Sequence, residues 1–312
     1  MLVILIFCGA CAKNGNLDKA ENQKIALIVR TIYGHYWGTV KLGADTAARE
    51  FNVIVDFNGP GNEQDVEGQI KLVEQALSEN VDALILAASD YEGLVEVTEK
   101  ALGKRIPVII VDSEVATGEI DSYIATDNID AGKKAGKAVI EVAGERCNVA
   151  IINFVKGSRN AEQREEGLLE TLSAYPEIQV IAKEYCSSDK NLAFGLANEI
   201  LTENHDNLVF VTFNDVASEG VADAVAQRNL AGQVKIIAFD NTPREIDYLE
   251  KGVIQALIIQ NPFSMGYLSV KYAVEALNGN SVPEYYNTGS YLITSENMYM
   301  PEYQKILFPI VK

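Results

Sequence analysis

The stretch that sets the fold reads KIALIVRTIYGHYWGTVKLGADTAAREFNVIVDF, residues 24–57. It opens with a continuous apolar run at 24–31 and ends with another at 52–57. Between them, residues 36–50 carry apolar side chains at the spacing that puts them on one face of a helix. Because buried parallel strands have continuous apolar runs of this kind, the stretch predicts a strand, a helix and a second parallel strand.

The same alternation of strands and helices continues along the chain. Further strands are predicted at 82–88, 107–112, 122–127, 147–154, 178–185, 207–213, 234–240 and 254–260. Helices are predicted at 36–50, 64–80, 91–102, 130–143, 160–174, 190–202, 217–227, 243–251 and 263–277. Because the series restarts at residue 147, the sequence predicts an α/β protein with two similar doubly wound lobes, each containing a parallel sheet with right-handed crossovers.

The composition excludes several classes of protein. The 312 residues include 44 acidic and 26 basic side chains, for a net charge of −18. Nucleic acid is therefore not expected as a partner, because phosphate neutralisation needs clustered Lys and Arg. No cofactor and no metal are expected, since the four cysteines and two histidines form no ligand cluster. We expect two of those cysteines, Cys147 and Cys186, to be free, half-buried thiols.

The N-terminus resembles an export signal. Residues 2–10 read LVILIFCGA, which is far shorter than the ~18 apolar residues that span a bilayer. Gly9-Ala10-Cys11 resembles a bacterial lipobox, although Cys8 replaces the usual Leu and no Lys or Arg precedes the run. The expected organisation is a signal peptide at 1–10, a lipid on Cys11 and a polar tether at 11–23. The alternative is a buried N-terminal strand.

Polar and aromatic side chains follow almost every predicted strand. In open parallel α/β sheets, ligands bind beyond the carboxyl ends of the strands. Carboxylates accept hydrogen bonds from hydroxyl groups, Arg donates in a planar fork, and Asn and Gln do both. Aromatic rings cover the apolar face of a sugar ring. The candidate ligand-binding residues are Arg30, Tyr36, Trp37, Asp112, Ser113, Ser158, Arg164, Ser188, Asn214, Asp240 and Gln260. For Asp215 and Asn241, a helix cap or a turn is the favoured explanation.

Seven segments together resemble a known family. They are KIALIVRTIYGHYW (24–37), PVIIVDS (107–113), IATDN (124–128), NAEQREEGL (160–168), FNDVASEGV (213–221), IIAFDNTP (236–243) and ALIIQNPFSMG (256–266). In order and spacing they are similar to the type I periplasmic-binding-protein family, in particular its ribose- and galactose-binding members. The resemblance implies a monomeric, extracytoplasmic two-lobe clamp that closes around a sugar and serves an ABC importer. It implies no enzyme activity.

The resemblance also implies lobe boundaries and residue roles. One lobe would comprise 24–126 and 262–288, and the other 127–261 and 289–312. Hinge crossings would fall near Thr126–Asn128, Asp240–Asn241 and Gln260–Pro262, with a return to the second lobe near the C-terminus. Two residues would form the aromatic wall, Tyr36 and Trp37. Five residues would bind ligand hydroxyls: Asp112, Arg164, Asn214, Asp240 and Gln260.

Four positions depart from the ribose pattern: Arg30 replaces a small residue, Gly34 replaces a hydrogen-bonding side chain, Ser113 replaces an arginine, and Ser188 stands where an aromatic residue is common. Arg30 and Arg164 together could favour an acidic sugar, a cyclitol or a sugar phosphate. The alternative for Arg30 is an ion pair with Asp90 or Asp112, and the alternative for Arg164 is a solvated helix face or an ion pair with Glu162 or Glu165. The ligand class is therefore a sugar, a sugar acid or a cyclitol.

The alternatives to a transport protein are an enzyme, a DNA-binding regulator and a sensory module. An enzyme is disfavoured because the GxGxxG, GxxxxGK[ST] and GxSxG motifs are absent and because no nucleophile accompanies His35 near the candidate site. The other histidine, His205, is expected to be a solvated residue in a polar turn. A DNA-binding regulator is disfavoured because residues 1–23 are too short for a helix-turn-helix. A module that presents a bound sugar to a sensor kinase or chemoreceptor remains an alternative, because it shares the pocket and differs only in its partner.

Overall fold

Two six-stranded sheets form the framework of the molecule. The computed structural model describes residues 22–203 and 206–308. The elements in chain order are β1 (Lys24–Ile28), α1 (His35–Phe51), β2 (Ile54–Asn58), α2 (Val66–Ser78), β3 (Ala83–Leu86), α3 (Val95–Gly103), β4 (Val108–Val111), β5 (Ser122–Ala125), α4 (Asn128–Ala143), β6 (Cys147–Asn153), α5 (Arg159–Leu172), β7 (Ile178–Tyr185), α6 (Lys190–Ile200), β8 (Leu208–Thr212), α7 (Asp215–Gln227), β9 (Lys235–Phe239), α8 (Pro243–Glu250), β10 (Ala256–Ile259), α9 (Pro262–Leu277), β11 (Tyr285–Asn287), β12 (Tyr291–Ile293) and α10 (Pro301–Leu307).

The two sheets have equivalent strand orders. The first is β11-β5-β4-β3-β1-β2 and the second is β12-β10-β9-β8-β6-β7. All strand pairs are parallel except β10 with β12, which is antiparallel. We call the first sheet with its helices the first lobe, and the second sheet with its helices the second lobe. The predicted α/β class and the two similar doubly wound lobes are confirmed.

Each sheet is covered by helices on both faces. In the first lobe, α1 and α9 pack on one face and α2 and α3 on the other. In the second lobe, α4 and α5 pack on one face, and α6, α7, α8 and α10 on the other. The inner strands are buried from both sides, which is why their sequences are apolar runs without alternation.

One helix pair in each lobe packs closely through glycines. A Cβ added to Gly43 of α1 would lie 2.0 Å from the carbonyl oxygen of Phe263, and one added to Gly266 of α9 would lie 1.9 Å from that of Val40. Gly132 and Gly167 have the same role between α4 and α5, where an added Cβ would lie 2.1 Å from a backbone oxygen in each case. Both lobes therefore contain a helix crossing in which the backbones are too close for any side chain.

The chain passes between the lobes three times. The passages lie between β5 and α4, between β10 and α9, and at residues 288–290 between β11 and β12. The predicted crossing at Asp240–Asn241 is wrong, because β9 and β10 on either side of it are parallel neighbours in the second sheet. The first two passages are tied together by the Thr126 hydroxyl, which donates to Gln260 Oε1 over 2.8 Å.

The cysteines and the N-terminal prediction have different outcomes. Cys147 and Cys186 are free and buried, more deeply than predicted, and burial raises the pKa of the Cys186 thiol to about 11.

The predicted signal peptide, Cys11 and residues 11–21 of the tether lie outside the described residues, as does His205. Within the described part of the chain, no helix has the length and apolarity that a membrane span requires.

Candidate ligand-binding site

A cavity of about 200 Å³ lies between the two lobes, where the carboxyl ends of both sheets face each other. The segments that line it follow β1, β2 and β4 in the first lobe and β6, β7, β8, β9 and β10 in the second. The strand-end residues are therefore brought to one place. The candidates that line the cavity are Arg30, Tyr36, Trp37, Asp112, Arg164, Ser188, Asn214, Asp240 and Gln260.

Each lobe presents one aspartate at an equivalent strand end. Asp112 follows β4 and Asp240 follows β9, and both have left-handed backbones, with φ of 60° and 76°. Such a conformation is uncommon for a residue with a side chain and costs on the order of 1 kcal/mol or more. The backbone N–H of each aspartate donates to a neighbouring strand, Asp112 to the Ile124 carbonyl over 2.9 Å and Asp240 to the Ile258 carbonyl over 3.0 Å, and hydrogen bonds also hold each carboxylate.

The hydrogen bonds of Asp112 come from three side chains. Tyr36 donates to Oδ1 over 2.6 Å, and Ser113 donates to Oδ2 over 2.7 Å. Asn160, from the second lobe, donates to Oδ2 over 3.4 Å. Burial and the neighbouring Asp112 carboxylate raise the pKa of Tyr36 well above its usual value, so the Tyr36 hydroxyl stays protonated and remains a donor.

Asp240 and Asp215 form a pair of carboxyl groups in the wall of the second lobe. Gln260 donates to Asp240 Oδ1 over 2.8 Å, and the backbone N–H of Asp215 donates to Asp240 Oδ2 over 3.1 Å. Burial raises the pKa of Asp215 to about 8, helped by the Asp240 and Glu63 carboxylates. Burial also raises the pKa of Asp240, against the opposing effect of Arg164. One proton is therefore favoured on this pair near neutral pH.

Arg164 lies fully buried among acceptors of the second lobe. Its Nε, Nη1 and Nη2 donate to Asn128 Oδ1, the Phe213 carbonyl and Gln260 Oε1, over 2.8, 2.6 and 2.8 Å. The guanidinium lies 4.9 Å from the centroid of the Phe239 ring. The alternative of an ion pair with Glu162 or Glu165 is wrong, because these two carboxylates pair with Arg159 and Lys183.

Arg30 crosses from the end of β1 toward the second lobe. Its Nη1 donates to Ser158 over 3.1 Å and to Asn160 over 3.4 Å, and Nη2 lies 3.2 Å from the Glu63 carboxylate. The alternative of an ion pair with Asp90 or Asp112 is therefore wrong in its partner, which is Glu63. Asp90 instead accepts the backbone N–H of Gly93 in its own turn.

Ser113 and Ser158 do not line the cavity. Both hydroxyls are buried behind Arg30, with Ser113 Oγ 3.5 Å and Ser158 Oγ 3.1 Å from its Nη1. Their place is consistent with a role in orienting the guanidinium, and direct contact with a ligand is not part of this arrangement.

The aromatic residues of α1 form the apolar part of the wall. The rings of Tyr36 and Trp37 are 5.2 Å apart and nearly perpendicular, at 86°. Trp37 donates through Nε1 to Glu63 Oε1 over 3.2 Å. The neighbouring His35 begins α1 without lining the cavity, and burial lowers its pKa, which keeps its imidazole neutral at physiological pH.

Several residues of the cavity wall were not among the candidates. Phe154 lies beside both arginines, with its ring centroid 5.4 Å from the Arg30 guanidinium and 5.8 Å from that of Arg164. Glu63, Asn160 and Asp215 also line the cavity. Phe154, Glu63 and Asn160 follow strands, so the rule applied to the other residues would have included them, and Asp215 lines the cavity although a cap or a turn was the favoured explanation. By contrast, Asn241 donates to the Leu307 carbonyl over 3.1 Å and holds α10, as a structural role predicts.

A comparison with protein families identifies this arrangement. A family model described as a periplasmic binding protein domain matches residues 25–281. The chain belongs to this family. Membership confirms the predicted family and the function of a binding protein, and it supports the coarser prediction of an extracytoplasmic location. The members of the family are binding proteins of transporters and not enzymes.

Individual relatives cover most of the chain. The D-allose-binding periplasmic protein of Escherichia coli (strain K12) is 27 % identical over 283 residues, which are 86 % of this chain and 91 % of the relative. Ribose import binding protein RbsB of Haemophilus influenzae is 28 % identical and covers 84 % of this chain, with 88 % of its own length matched. These relatives align along nearly their whole length, so both lobes and the cleft between them are included.

Solved structures show the same architecture. A carbohydrate transporter solute-binding protein from Agrobacterium radiobacter, in complex with D-arabinose, superposes with a TM-score of 0.89 at 28 % identity and covers 92 % of this chain and 99 % of its own. An ABC transporter solute-binding protein from Agrobacterium vitis with bound D-fucose gives a TM-score of 0.89 at 30 % identity, with coverage of 91 % and 99 %.

Proposed function

We propose that this chain captures a neutral sugar or sugar-like polyol between its lobes and delivers it to an ABC importer. The observation that carries the proposal is the cavity, where carboxylates, guanidinium groups and amides from both lobes surround a small space with an aromatic wall. A ring of hydroxyl groups offers both donors and acceptors at short spacing, which matches this mixture. We propose that the nine candidates on the cavity wall contact the ligand directly.

The charge of the cavity favours a neutral ligand over an acidic one. Four carboxyl groups, those of Glu63, Asp112, Asp215 and Asp240, line it against two guanidinium groups. Arg30 faces Glu63 at 3.2 Å, and Arg164 already donates from all three of its nitrogens. An anionic ligand would have to lose its hydration among these carboxylates, and the charge of Arg30 is already offset by Glu63, although Nε and Nη2 of Arg30 have no hydrogen-bond partner in the described part of the chain. A carboxylate or phosphate on the sugar is therefore disfavoured, whereas a cyclitol is compatible.

The relatives support the same class of ligand. Their names and titles refer to D-allose, ribose, xylitol, D-arabinose, D-fucose and α-D-tagatopyranose. None of these molecules carries a charge, and all present several adjacent hydroxyl groups.

Thermal-shift screening tests the ligand class. The panel contains D-allose, D-ribose, D-arabinose, D-fucose, xylitol and myo-inositol, with D-galacturonate and ribose 5-phosphate as charged counterparts. At least one neutral compound is expected to raise the Tm, because a ligand at about 100 times its Kd stabilises the folded state by about 2.7 kcal/mol. Stabilisation by the charged compounds alone would contradict the neutral class, and stabilisation by no polyol would contradict the proposed function.

The remaining parts of the proposal concern location and partner. We propose that Cys11 carries a lipid that anchors a monomeric binding protein outside the cytoplasm, and that the lobes are 24–126 with 262–288 and 127–261 with 289–312. Cells that express the full chain with a radioactive palmitate label should yield a labelled protein in the membrane fraction, and Cys11→Ser should abolish the label.

Loss of sugar uptake in cells lacking the gene would support the importer role, whereas normal uptake with a lost response to the sugar would favour the sensor alternative.

A further inference from the structure

Glu63 contacts both lobes from one position. It lies in the loop that follows β2, and its side chain is 13 % exposed. Within the first lobe, one carboxylate oxygen is 3.2 Å from Arg30 Nη2 and the other accepts the Trp37 indole N–H over 3.2 Å. From the second lobe, the Ser188 hydroxyl donates to Oε2 over 2.7 Å. A single carboxylate therefore joins a cation, an aromatic ring and the opposite wall of the cleft.

Arg30 depends on this carboxylate. The guanidinium is buried, and neither its Nε nor its Nη2 has a hydrogen-bond partner among residues 22–203 and 206–308, so Nη2 interacts with Glu63 as an ion pair. Glu63 is the one carboxylate at ion-pair distance from Arg30 in that same part of the chain. A buried cation that loses its counter-charge is costly, so Arg30 is held in the cleft wall as long as Glu63 stays in place.

Ser188 is held equally firmly in the second lobe. Ser187 and Ser188 both have left-handed backbones, with φ of 55° and 50°. Two consecutive residues in this conformation persist only when their surroundings fix them. Asn214, the N-cap of α7, donates to Ser188 Oγ over 3.2 Å and so places the hydroxyl toward the cleft.

We propose that Glu63 is a positioning residue that couples lobe closure to the shape of the cavity. It holds Arg30 and Trp37 in the first lobe and receives Ser188 only when the second lobe has swung in. Because the Glu63–Ser188 hydrogen bond joins two side chains of the protein itself, it would favour the closed form with or without a ligand. The role of this closed form in capture rests on the proposed function, but its existence does not.

The free protein provides the first test, because Trp37 is the single tryptophan of the chain. Acrylamide quenching of its fluorescence and the radius of gyration from X-ray scattering are measured without sugar for wild type, S188A and E63Q. We expect both variants to be quenched about twofold more and to be more expanded, because the closed population falls. S173A and E67Q make the same changes at exposed positions and should behave as wild type.

The double variant tests whether Glu63 and Ser188 act through the same hydrogen bond. If Glu63 and Ser188 act through their mutual hydrogen bond, S188A/E63Q should be no more expanded than E63Q alone, which is the non-additivity of a coupled pair. Far-UV circular dichroism shows that each variant is folded. Unchanged quenching and unchanged radius in both single variants would overturn the proposal. A change in E63Q without any change in S188A would restrict Glu63 to the first lobe and overturn the coupling.

Dissociation kinetics provide the second test, with D-allose as the probe. The closing hydrogen bond to a charged group should affect release more than capture, so S188A is expected to raise koff about tenfold with little change in kon. An unchanged koff would overturn the role in capture. If no sugar of the panel binds the wild-type protein, the proposed function fails, and the measurements on the free protein still decide whether Glu63 couples the lobes.

Discussion

Asp240 joins the wall of the cavity to the passage between the lobes. Its carboxylate accepts from Gln260, whose side-chain oxygen in turn accepts from both Arg164 and Thr126. A ligand hydroxyl that donates to Asp240 therefore acts on a network that reaches the hinge. Because low local polarity strengthens each bond of such a network, the loss of one member affects the others.

Replacing Asp240 should weaken sugar binding strongly. D240A is expected to cost about 2–5 kcal/mol of binding free energy. Without the carboxylate, the ligand hydroxyl and the Gln260 amide that donate to it are left buried and unpaired. Calorimetric titration with the best sugar of the screening panel measures the effect. D247A, at a half-exposed aspartate of α8 outside the cavity wall, is the matched control and should bind as wild type. Equal affinity of D240A and wild type would remove Asp240 from the site.

The free protein should lose stability as the pH rises. In the folded state, burial raises the pKa of Asp215 to about 8 and that of Asp240 to about 6, and it raises the pKa of Glu245 as well. In the unfolded chain these groups have pKa values near 4. The folded state thus binds more protons between the two sets of values, and by linkage its stability falls as pH increases through that window.

Asparagine at position 215 isolates this effect. D215N removes the cost of ionising a buried carboxyl, so its Tm relative to wild type should rise steadily between about pH 5 and pH 8. D223N is the control, because the partners of Asp223 lower its pKa and its contribution is constant over this range. A D215N difference that is flat with pH would show that Asp215 is ionised throughout.

The sequence placed residues at the site better than it paired them. Strand-end position alone was enough to gather Arg30, Asp112 and Asp240, because parallel strands bring their carboxyl ends to one edge. The partner of Arg30 was missed because Glu63 lies on a different loop, and such a pairing depends on how two loops approach each other. Ser113 and Ser158 also follow strands, but their hydroxyls lie beside Arg30 and do not line the cavity, which again depends on how the loops approach each other.

At the scale of elements, the spacing of apolar residues predicted the longer strands and helices but not the short elements near the C-terminus. Every predicted strand and helix is present, but β11, β12 and α10 were not predicted. The two strands have three residues each, and Tyr285–Asn287 is exposed along its whole length. A segment this short shows no period, and its strand conformation comes from pairing with β5.

Two glycines of α1 should respond in opposite ways to alanine. Gly38 is exposed and an added Cβ has open space, so G38A should stabilise the protein by about 0.5–1 kcal/mol through lower backbone entropy in the unfolded chain. Gly43 faces α9 at the helix crossing, and G43A should destabilise it by about 1–3 kcal/mol or more through overpacking. Urea denaturation measures both changes. A similar effect of the two variants would show that the crossing can open without cost.

At the scale of the whole molecule, the cavity is enclosed only because both lobes contribute to it. A ligand that contacts both lobes in the closed form alone shifts the population toward that form. Saturating the protein with a tight-binding sugar should therefore reduce the radius of gyration measured by X-ray scattering. A tight ligand that produces no compaction would contradict closure as the mechanism of capture.

Helix α9 and strand β11 come late in the chain but belong to the first lobe, and this order affects folding during synthesis. Residues Met265, Val270 and Ala273 of α9 are part of the apolar core beside α1, and β11 forms an edge of the first sheet. A ribosome makes β1 to β5 early but cannot supply these covering pieces until almost the entire polypeptide has been translated. The lobe that is begun first thus waits for residues 262–287, which follow most of the second lobe, and a fragment cut at residue 127 lacks both α9 and β11.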